Sequence, residues 1–170
     1  MEALKEWLWP YIISNIIFGL SIIAALKKPM WARMFLGGFF LWASYFNSMT
    51  SVTSPEVYLT YARLDALPAY SRLINGFFAQ HITSFVFAIA VGQFIIFAGM
   101  MSNRTFTKLA CIGGIIFGLA IAPLGVGSAF PSTVSMAIAF YILLRRYEHD
   151  FIWKWNQYRH QIKPVHENVF

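Results

Sequence analysis

Charged side chains are scarce in this chain of 170 residues, of which Asp, Glu, Lys and Arg together make up 12%. A soluble domain carries nearer a quarter of charged residues. Hydrophobic residues instead account for 58% of the chain, which is the composition of a membrane protein. The length allows about five membrane-crossing helices of roughly 20 residues each with short connections, so we expect a single membrane domain over residues 1–170.

Cysteine is nearly absent as well. The single cysteine, Cys111, excludes an internal disulfide, a CxxC redox pair and a cysteine-based zinc site or cluster within one chain. The sequence also lacks a nucleotide-binding glycine loop, an HExxH zinc motif and a recognisable Ser-His-Asp catalytic triad pattern. These absences favour a protein without catalytic activity of its own, and we assign no catalytic and no metal-binding residue.

Five apolar runs predict an all-α bundle of transmembrane helices. We expect the helices at residues 8–26, 31–50, 76–101, 106–127 and 132–153, with a tail at 154–170. The apolar part of the fifth run, 132–144, is short for a hydrocarbon layer of about 30 Å. It crosses only if Arg145 and Arg146 lie at the membrane boundary or extend their side chains towards it.

The basic residues predict the orientation. With the N-terminus outside, the outer side holds only Lys5, Arg63 and Arg72. The inner side then holds Lys27, Lys28, Arg33, Arg104, Lys108, Arg145, Arg146, Lys154, Arg159 and Lys163. Because cytoplasmic loops are enriched in Lys and Arg, we expect an outer N-terminus and a cytoplasmic C-terminus in a bacterial cytoplasmic membrane. Basic residues at the ends of apolar runs, rather than along one polar face, argue against nucleic acid as a partner.

Glycine and proline predict details of the helices. Close helix packing is expected at Gly37 and Gly38 in the second helix and at the GxxxG pair Gly114 and Gly118 in the fourth. Pro123 predicts that the fourth helix ends or kinks near its outer end, and a plain helix end is the favoured reading.

The longest connection, 51–75, lies on the predicted outer face. Ser54, Pro55 and Glu56 form a favourable helix start. A short apolar stripe follows at Val57, Tyr61 and Leu64. We therefore expect a short amphipathic helix lying at the membrane interface.

Three segments in this order resemble the DoxX family of small bacterial membrane proteins: ARMFLGGFFLWASYFNSM, YLTYARLDALPAYSRLI and VGQFIIFAGMMSNRTFTKLA. The resemblance covers roughly 32–146, so the first helix and the tail are additions. Ser44 and Asn47 stand where the family often has a glycine and then a lysine or asparagine. Gln93 stands where it often has a glutamate, so a family charge is missing there.

The resemblance implies a four-helix membrane core, to which the first helix is added. It also implies an association, in some members, with quinone-linked sulfur oxidation or other membrane oxidoreductase assemblies. Such a likeness constrains the fold more than the function.

Polar side chains within the apolar helices form a predicted outer group. At the expected depths, the group comprises Asn15, Asn47 and His81, with Tyr45, Gln80 and Ser84 nearby. The outer connection would lie above it and bring Glu56, Tyr61, Arg63, Asp65 and Arg72. Because polar groups in lipid usually face the bundle interior or a wet cavity, these residues are candidates for a ligand pocket.

Gln93 is separated from His81 by about 120° around the helix and roughly 18 Å along it, so we expect an interhelical hydrogen bond in the inner half instead. For His81 three roles stay open: a bond to a neighbouring helix, a substrate or quinone contact, and haem or metal ligation. A quinone needs a hydrogen-bond donor and an apolar slot. Haem is disfavoured because the other histidines, His149, His160 and His166, all lie beyond Arg145 on the predicted cytoplasmic side.

Three functions are compatible with these features. The favoured one is an accessory subunit of a larger, quinone-linked membrane redox complex, bound to other subunits or to itself. The basic, aromatic tail also suits an anionic membrane surface or a partner subunit. The alternatives are a small transporter or channel with Asn15, Asn47, His81 and Gln93 as its polar path, and a self-contained enzyme with an outer-leaflet pocket.

Overall fold

A computed structural model of the chain describes residues 2–63 and 74–146, together with Ala69 and Arg72. No β-strand occurs in this part of the chain. Its five α-helices are α1 (Glu2–Lys27), α2 (Pro29–Thr53), α3 (Ile82–Met100), α4 (Arg104–Ile121) and α5 (Ser132–Arg146). The predicted all-α class is thereby confirmed.

Three shorter helical segments occupy the connections. They are a 3-10 helix at Pro55–Arg63, a π-helical turn at Ile74–Phe78 and a 3-10 helix at Ala122–Ser128. The first begins directly after Ser54, where the helix start was predicted. Its buried side chain is Tyr58, whereas Val57 of the predicted stripe is 43% exposed. The stripe assumed an α-helix, but a 3-10 helix aligns residues three apart.

Two helix ends follow from proline and glycine. The α-helix α4 ends at Ile121, just before Pro123, as expected for a plain helix end. Gly125 then turns the chain with φ 61°, a left-handed conformation that glycine adopts without penalty. The third helix begins later than predicted, because Gly76 is non-helical (φ −96°, ψ −110°) and the regular α-helix starts only at Ile82.

The helices form a ring in chain order. Each packs against its neighbours in sequence, and α1 packs along α5 to close the ring. Only Lys28 separates α1 from α2, which makes them an antiparallel pair. Because α2 and α5 touch at only a few points, α1 stands between them as part of the wall rather than as an appendage.

Three helical stretches of the described chain are long and apolar enough to cross a membrane: Leu8–Lys27, Ile82–Met100 and Arg104–Ser128. Ser132–Arg145 is a shorter apolar helix. Large apolar side chains cover the outside of the bundle, as Ile95 and Ile116 illustrate with 63% exposure each. A soluble helix buries such a face, whereas lipid solvates it. The helices and the composition together indicate a membrane protein.

One half of the ring has a closely packed core. Phe40 of α2 lies edge-on to Phe117 of α4, with ring centroids 5.4 Å apart, and to Phe140 of α5 at 5.6 Å. A Cβ added at Gly114 would lie 2.5 Å from Cε2 of Phe140, and one at Gly118 would lie 2.8 Å from the carbonyl oxygen of Thr133. Both glycines of the GxxxG pair therefore admit α5 close to α4.

The glycine pair of α2 behaves differently. Gly37 is buried against the side chains of Met100 and Met101. Gly38 is exposed, and a Cβ there would meet nothing within 4 Å, so the packing role predicted for Gly38 is wrong. Adjacent residues point about 100° apart on an α-helix, so only one of the two faces α3.

Candidate ligand cavity

Arg33, in the second turn of α2, is fully buried and holds the turn between α3 and α4. Its Nε donates to the carbonyl of Met100 at 2.5 Å, and its Nη2 donates to the carbonyl of Ser102 at 2.6 Å and to Oγ1 of Thr107 at 2.8 Å. The Thr107 hydroxyl donates to the carbonyl of Gly99 at 3.1 Å. These carbonyls lie at the C-terminus of α3, where the helix dipole favours a cation. We call this end of the ring the Arg33 end.

A cavity of about 550 Å³ lies inside the ring towards the opposite end, which we call the Tyr58 end. Ligand pockets generally have volumes of roughly 300–1,000 Å³. All five helices contribute to its walls, and aromatic side chains are prominent among them: Tyr11, Phe18, Phe39, Trp42, Phe46, Tyr58, Phe77, Phe78, Phe85 and Phe117. Among the described residues, no Asp, Glu, Lys, Arg, His or Cys lines it. The cavity suits a neutral, largely apolar molecule.

Hydrogen-bonded side chains run along one wall of the cavity. The Tyr58 hydroxyl donates to Oδ1 of Asn47 at 2.7 Å, and Nδ2 of Asn47 donates to Oε1 of Gln93 at 2.8 Å. All three residues line the cavity, and Gln93 is only 3% exposed. Nearby, Ser44 donates from Oγ to the carbonyl of Ala90 at 2.7 Å. This amide chain, Tyr58–Asn47–Gln93, joins the 3-10 helix at Pro55–Arg63 to α2 and α3.

Hydroxyl groups mark another wall, at the start of α5. Ser132 and Thr133 are both buried and both line the cavity. The Oγ1 of Thr133 is buried without a hydrogen-bond partner among the described residues. A threonine in a helix commonly bonds the carbonyl four residues back. Here that carbonyl, of Ala129, already accepts from the Ser132 amide and from Nδ2 of Asn15.

His81 does not reach the cavity. It is exposed, its Nδ1 lies 3.2 Å from the carbonyl oxygen of Phe77, and its ring lies against that of Phe77 with centroids 4.9 Å apart. The prediction that His81 lies within a helix spanning 76–101 is wrong. Since α3 begins at Ile82, His81 precedes the helix. Gln93 is the polar side chain of α3 that lines the cavity.

The other members of the predicted outer group are dispersed. Tyr45, Gln80 and Ser84 are exposed, and none of them lines the cavity. Asn15 donates to the carbonyls of Tyr11 at 2.9 Å and Ala129 at 3.2 Å. The second bond ties α1 to the residue that caps the 3-10 helix at Ala122–Ser128. Asn47 alone of that group lines the cavity, and it does so with Gln93 rather than with His81.

The structure describes the side chains of only some candidate residues in the connection 51–75. Glu56 and Arg72 are exposed, and neither lines the cavity. The structure describes neither the side chains of Tyr61 and Arg63 nor any part of Asp65. Residues 147–170, which include the predicted tail, also lie outside the described residues. Tyr58 and Ile74 of the same connection line the cavity, and the Tyr58 hydroxyl bonds Asn47.

Sequence reasoning missed Arg33, Tyr58 and Thr133 as interior polar groups. Arg33 was counted only as a marker of orientation, although a lone arginine inside a helix differs from the terminal pair Lys27 and Lys28. Thr133 opens an apolar helix, and the rule that polar groups in lipid face inward would have selected it. No sequence signal distinguishes Tyr58 from the other tyrosines of the connection.

An all-helical bundle with an apolar exterior and an aromatic internal cavity defines a membrane protein with a candidate site for an apolar small molecule. The described residues contain no group of three or more His, Cys, Asp or Glu side chains that could hold a metal ion. No family model, curated protein or solved structure matches the chain. The resemblance to the DoxX family therefore rests on the three sequence segments quoted above.

Proposed function

We propose that this chain is a DoxX-like integral membrane protein of five spans that holds a quinone in its cavity and serves as an accessory subunit of a membrane redox complex. The observation that carries the proposal is the neutral, aromatic cavity of about 550 Å³ with the buried amide chain in its wall. A quinone has a flat head whose carbonyls accept hydrogen bonds, and an apolar tail. Aromatic walls and amide N–H groups match both parts.

The contacts of α2 and α5 support five crossings. The 25 residues of α2 are about 37 Å long, enough for a hydrocarbon layer. This helix runs beside α3 over most of its length, bonding it through Arg33, Ser44 and Asn47. The shorter α5 packs along both α4 and α1. A helix surrounded in this way by spanning helices is expected to share their depth.

Charge supports an orientation with the Tyr58 end outside. The basic residues near the Arg33 end include Lys27, Lys28, Arg33, Arg104 and Lys108, and α5 ends on the same side with Arg145 and Arg146. An excess of Lys and Arg marks the cytoplasmic side. The cavity then lies in the outer leaflet of a bacterial cytoplasmic membrane, with the N-terminus outside and the C-terminus in the cytoplasm.

The chemistry of the lining supports an accessory role. Tyrosine is the only titratable side chain among the described lining residues, and Tyr58 is engaged with Asn47. Reduction of a quinone needs electrons and protons, which these walls have no group to supply. A partner subunit would deliver the electrons while this chain positions the quinone.

The proposal is tested by purification in mild detergent from membranes of the source organism, followed by extraction and mass spectrometry of bound quinone and copurifying subunits. We expect near-stoichiometric quinone and identifiable redox subunits. Gln93→Leu is expected to lower the amount of bound quinone, and the exposed Gln80→Leu serves as the matched control. Wild-type protein that carries no quinone and no redox subunit would contradict the proposal.

A further inference from the structure

The amide chain ends in hydrogen-bond donors that face the cavity. Oε1 of Gln93 accepts from Asn47, while Nε2 of Gln93 has no hydrogen-bond partner among the described residues. The side chain is 97% buried from solvent and lines the cavity. An amide nitrogen carries two N–H groups and no acceptor. Whatever occupies the cavity beside Gln93 is therefore expected to present an oxygen acceptor.

The unpartnered hydroxyl of Thr133 points to the same occupant. A buried polar group left without a partner destabilises the fold, so native structures rarely keep one. Thr133 lines the cavity from α5, while Gln93 lines it from α3. A head group held between the two walls would satisfy both side chains.

Two aromatic side chains of α2 line the cavity and are exposed as well. Trp42 and Phe46 of α2 line it, yet they are 59% and 50% exposed. Their rings stack with centroids 5.6 Å apart. These two rings thus form an edge of the cavity that faces both inward and outward.

The opening lies between α1 and α2. The two helices meet through Phe18, whose ring contacts Phe35 at 6.0 Å and Phe39 at 4.9 Å. Beyond Phe18, towards the Tyr58 end, Tyr11 and Ser14 of α1 line the cavity. We call the gap between Ser14 and the stacked pair Trp42–Phe46 the α1–α2 opening.

We propose that the cavity binds the head of a neutral amphiphile with a carbonyl group, and that its apolar tail leaves through the α1–α2 opening into the outer leaflet. The head accepts a hydrogen bond from Nε2 of Gln93 and a second one from the hydroxyl of Thr133. A charged head is excluded because the described lining offers it no counter-charge. A space of about 550 Å³ encloses a head but not a long chain as well.

This inference rests on the proposed function for its setting in the membrane, but it names the binding groups and the access route. Two sources share the ligand chemistry, an isoprenoid quinone and a neutral acyl lipid. We would reconstitute the full chain in lipid nanodiscs and measure binding of a quinone with a decyl tail and of monooleoylglycerol. Each probe would carry a photoreactive diazirine at the end of its tail.

Head-group contacts are tested by Gln93→Leu and Thr133→Val, which keep side-chain size close to the original. Each is expected to weaken binding about 3- to 10-fold, as the loss of one hydrogen bond would. Photocrosslinks from the tail are expected on α1 and α2 around Ser14 and Trp42. Unchanged affinity in both variants, or crosslinks confined to α3 and α4, would overturn the inference.

The opening is tested by the rate at which bound probe exchanges. Ser14→Trp is expected to slow exchange at least 10-fold by filling the gap, and Ile13→Trp adds the same ring on the exposed side of α1 as its control. Should Ser14→Trp fail to fold, Phe46→Ala is expected to speed exchange by widening the gap. Equal rates in wild type and Phe46→Ala would refute lateral access.

The two proposals fail in different ways. If monooleoylglycerol binds with this variant pattern and the quinone does not, the quinone-linked function fails while the site and its opening stand. If the quinone binds but neither Gln93→Leu nor Thr133→Val weakens it, the function survives and the assigned head-group site is wrong.

Discussion

Asn47 on α2 and Gln93 on α3 join their amide side chains through a hydrogen bond of 2.8 Å. The bond crosses between two helices that also meet at Ser44 and at Arg33. Hydrogen bonds between membrane helices contribute about 0.6 kcal/mol on average and about 1.7 kcal/mol at most. The pair therefore sets the separation of α2 and α3 beside the cavity more than it sets total stability.

A double-mutant cycle measures this bond. We expect Asn47→Ala and Gln93→Ala to be coupled by about 0.6–1.7 kcal/mol in unfolding titrations in detergent micelles. The pair Asn47→Ala and Gln80→Ala is the control, because Gln80 is exposed and lies outside the cavity lining. Equal coupling in both cycles would mean that the measured energy does not come from the amide pair.

Arg33 is expected to be the most sensitive basic residue of the described chain. Arg33→Met removes donors from the carbonyls of Met100 and Ser102 at the end of α3, and a hydrogen bond to a charged group contributes about 1.5–3 kcal/mol. Unfolding in detergent should show a loss of at least about 1.5 kcal/mol. The exposed Lys28→Met, one turn away, should stay within about 0.5 kcal/mol of wild type. Arg33→Lys is expected to restore little, since an ammonium lacks the guanidinium fork.

A side chain at Gly114 is expected to destabilise the protein, because it would collide with the ring of Phe140. Gly114→Ala puts a Cβ within 2.5 Å of the Phe140 ring, and overpacking of this kind destabilises by about 1–3 kcal/mol. Gly92→Ala is the control, because a Cβ there meets nothing within 4 Å. Thermal melts should show the loss only at Gly114, and adding Phe140→Leu to Gly114→Ala should recover part of it.

Substitutions of His81 and Gln93 are expected to differ in their effect on the amount of copurifying ligand. We expect His81→Ala to keep wild-type amounts of copurifying ligand, because the imidazole is exposed and bonds the Phe77 carbonyl. Gln93→Leu is expected to retain less copurifying ligand than wild type. Quantitative mass spectrometry of extracted protein checks both, and loss of ligand in His81→Ala alone would return the site to the histidine.

Membrane orientation is tested with single cysteines. In a Cys111→Ala background, Glu56→Cys at the Tyr58 end should react with an impermeant maleimide in intact cells. Lys28→Cys at the Arg33 end should react only after the membrane is permeabilised. The reverse pattern would put the cavity in the inner leaflet and invalidate the proposed orientation.

The sequence predicted the helices well because apolar length and turn residues are local signals. The starts and ends near Ser54, Pro123 and Ser132 follow from proline and capping chemistry. The late start of α3 was missed because Gly76 gives no local indication that a π-helical turn will precede the helix. The predicted start at 76 precedes the observed start at Ile82 by six residues, which was enough to misplace His81.

The cavity was harder to predict because it depends on helix rotation and on contacts distant in sequence. Depth along each helix grouped Asn47 with His81, but rotation decides which side chain faces inward, and it selected Gln93. The bond from Tyr58 depends on a 3-10 helix folding back over the ring. Neither rotation nor fold-back leaves a periodic pattern that a single sequence could reveal.

The place of α1 between α5 and α2 has a consequence for biogenesis. During synthesis α1 leaves the ribosome first, but its most extensive neighbour, α5, is the last of the five helices to follow. If the five helices are inserted in chain order, as the proposed five crossings require, one flank of α1 stays in lipid while α2, α3 and α4 are inserted. Ring closure becomes a late step, and truncation before α5 should leave the first helix exposed to membrane quality-control proteases.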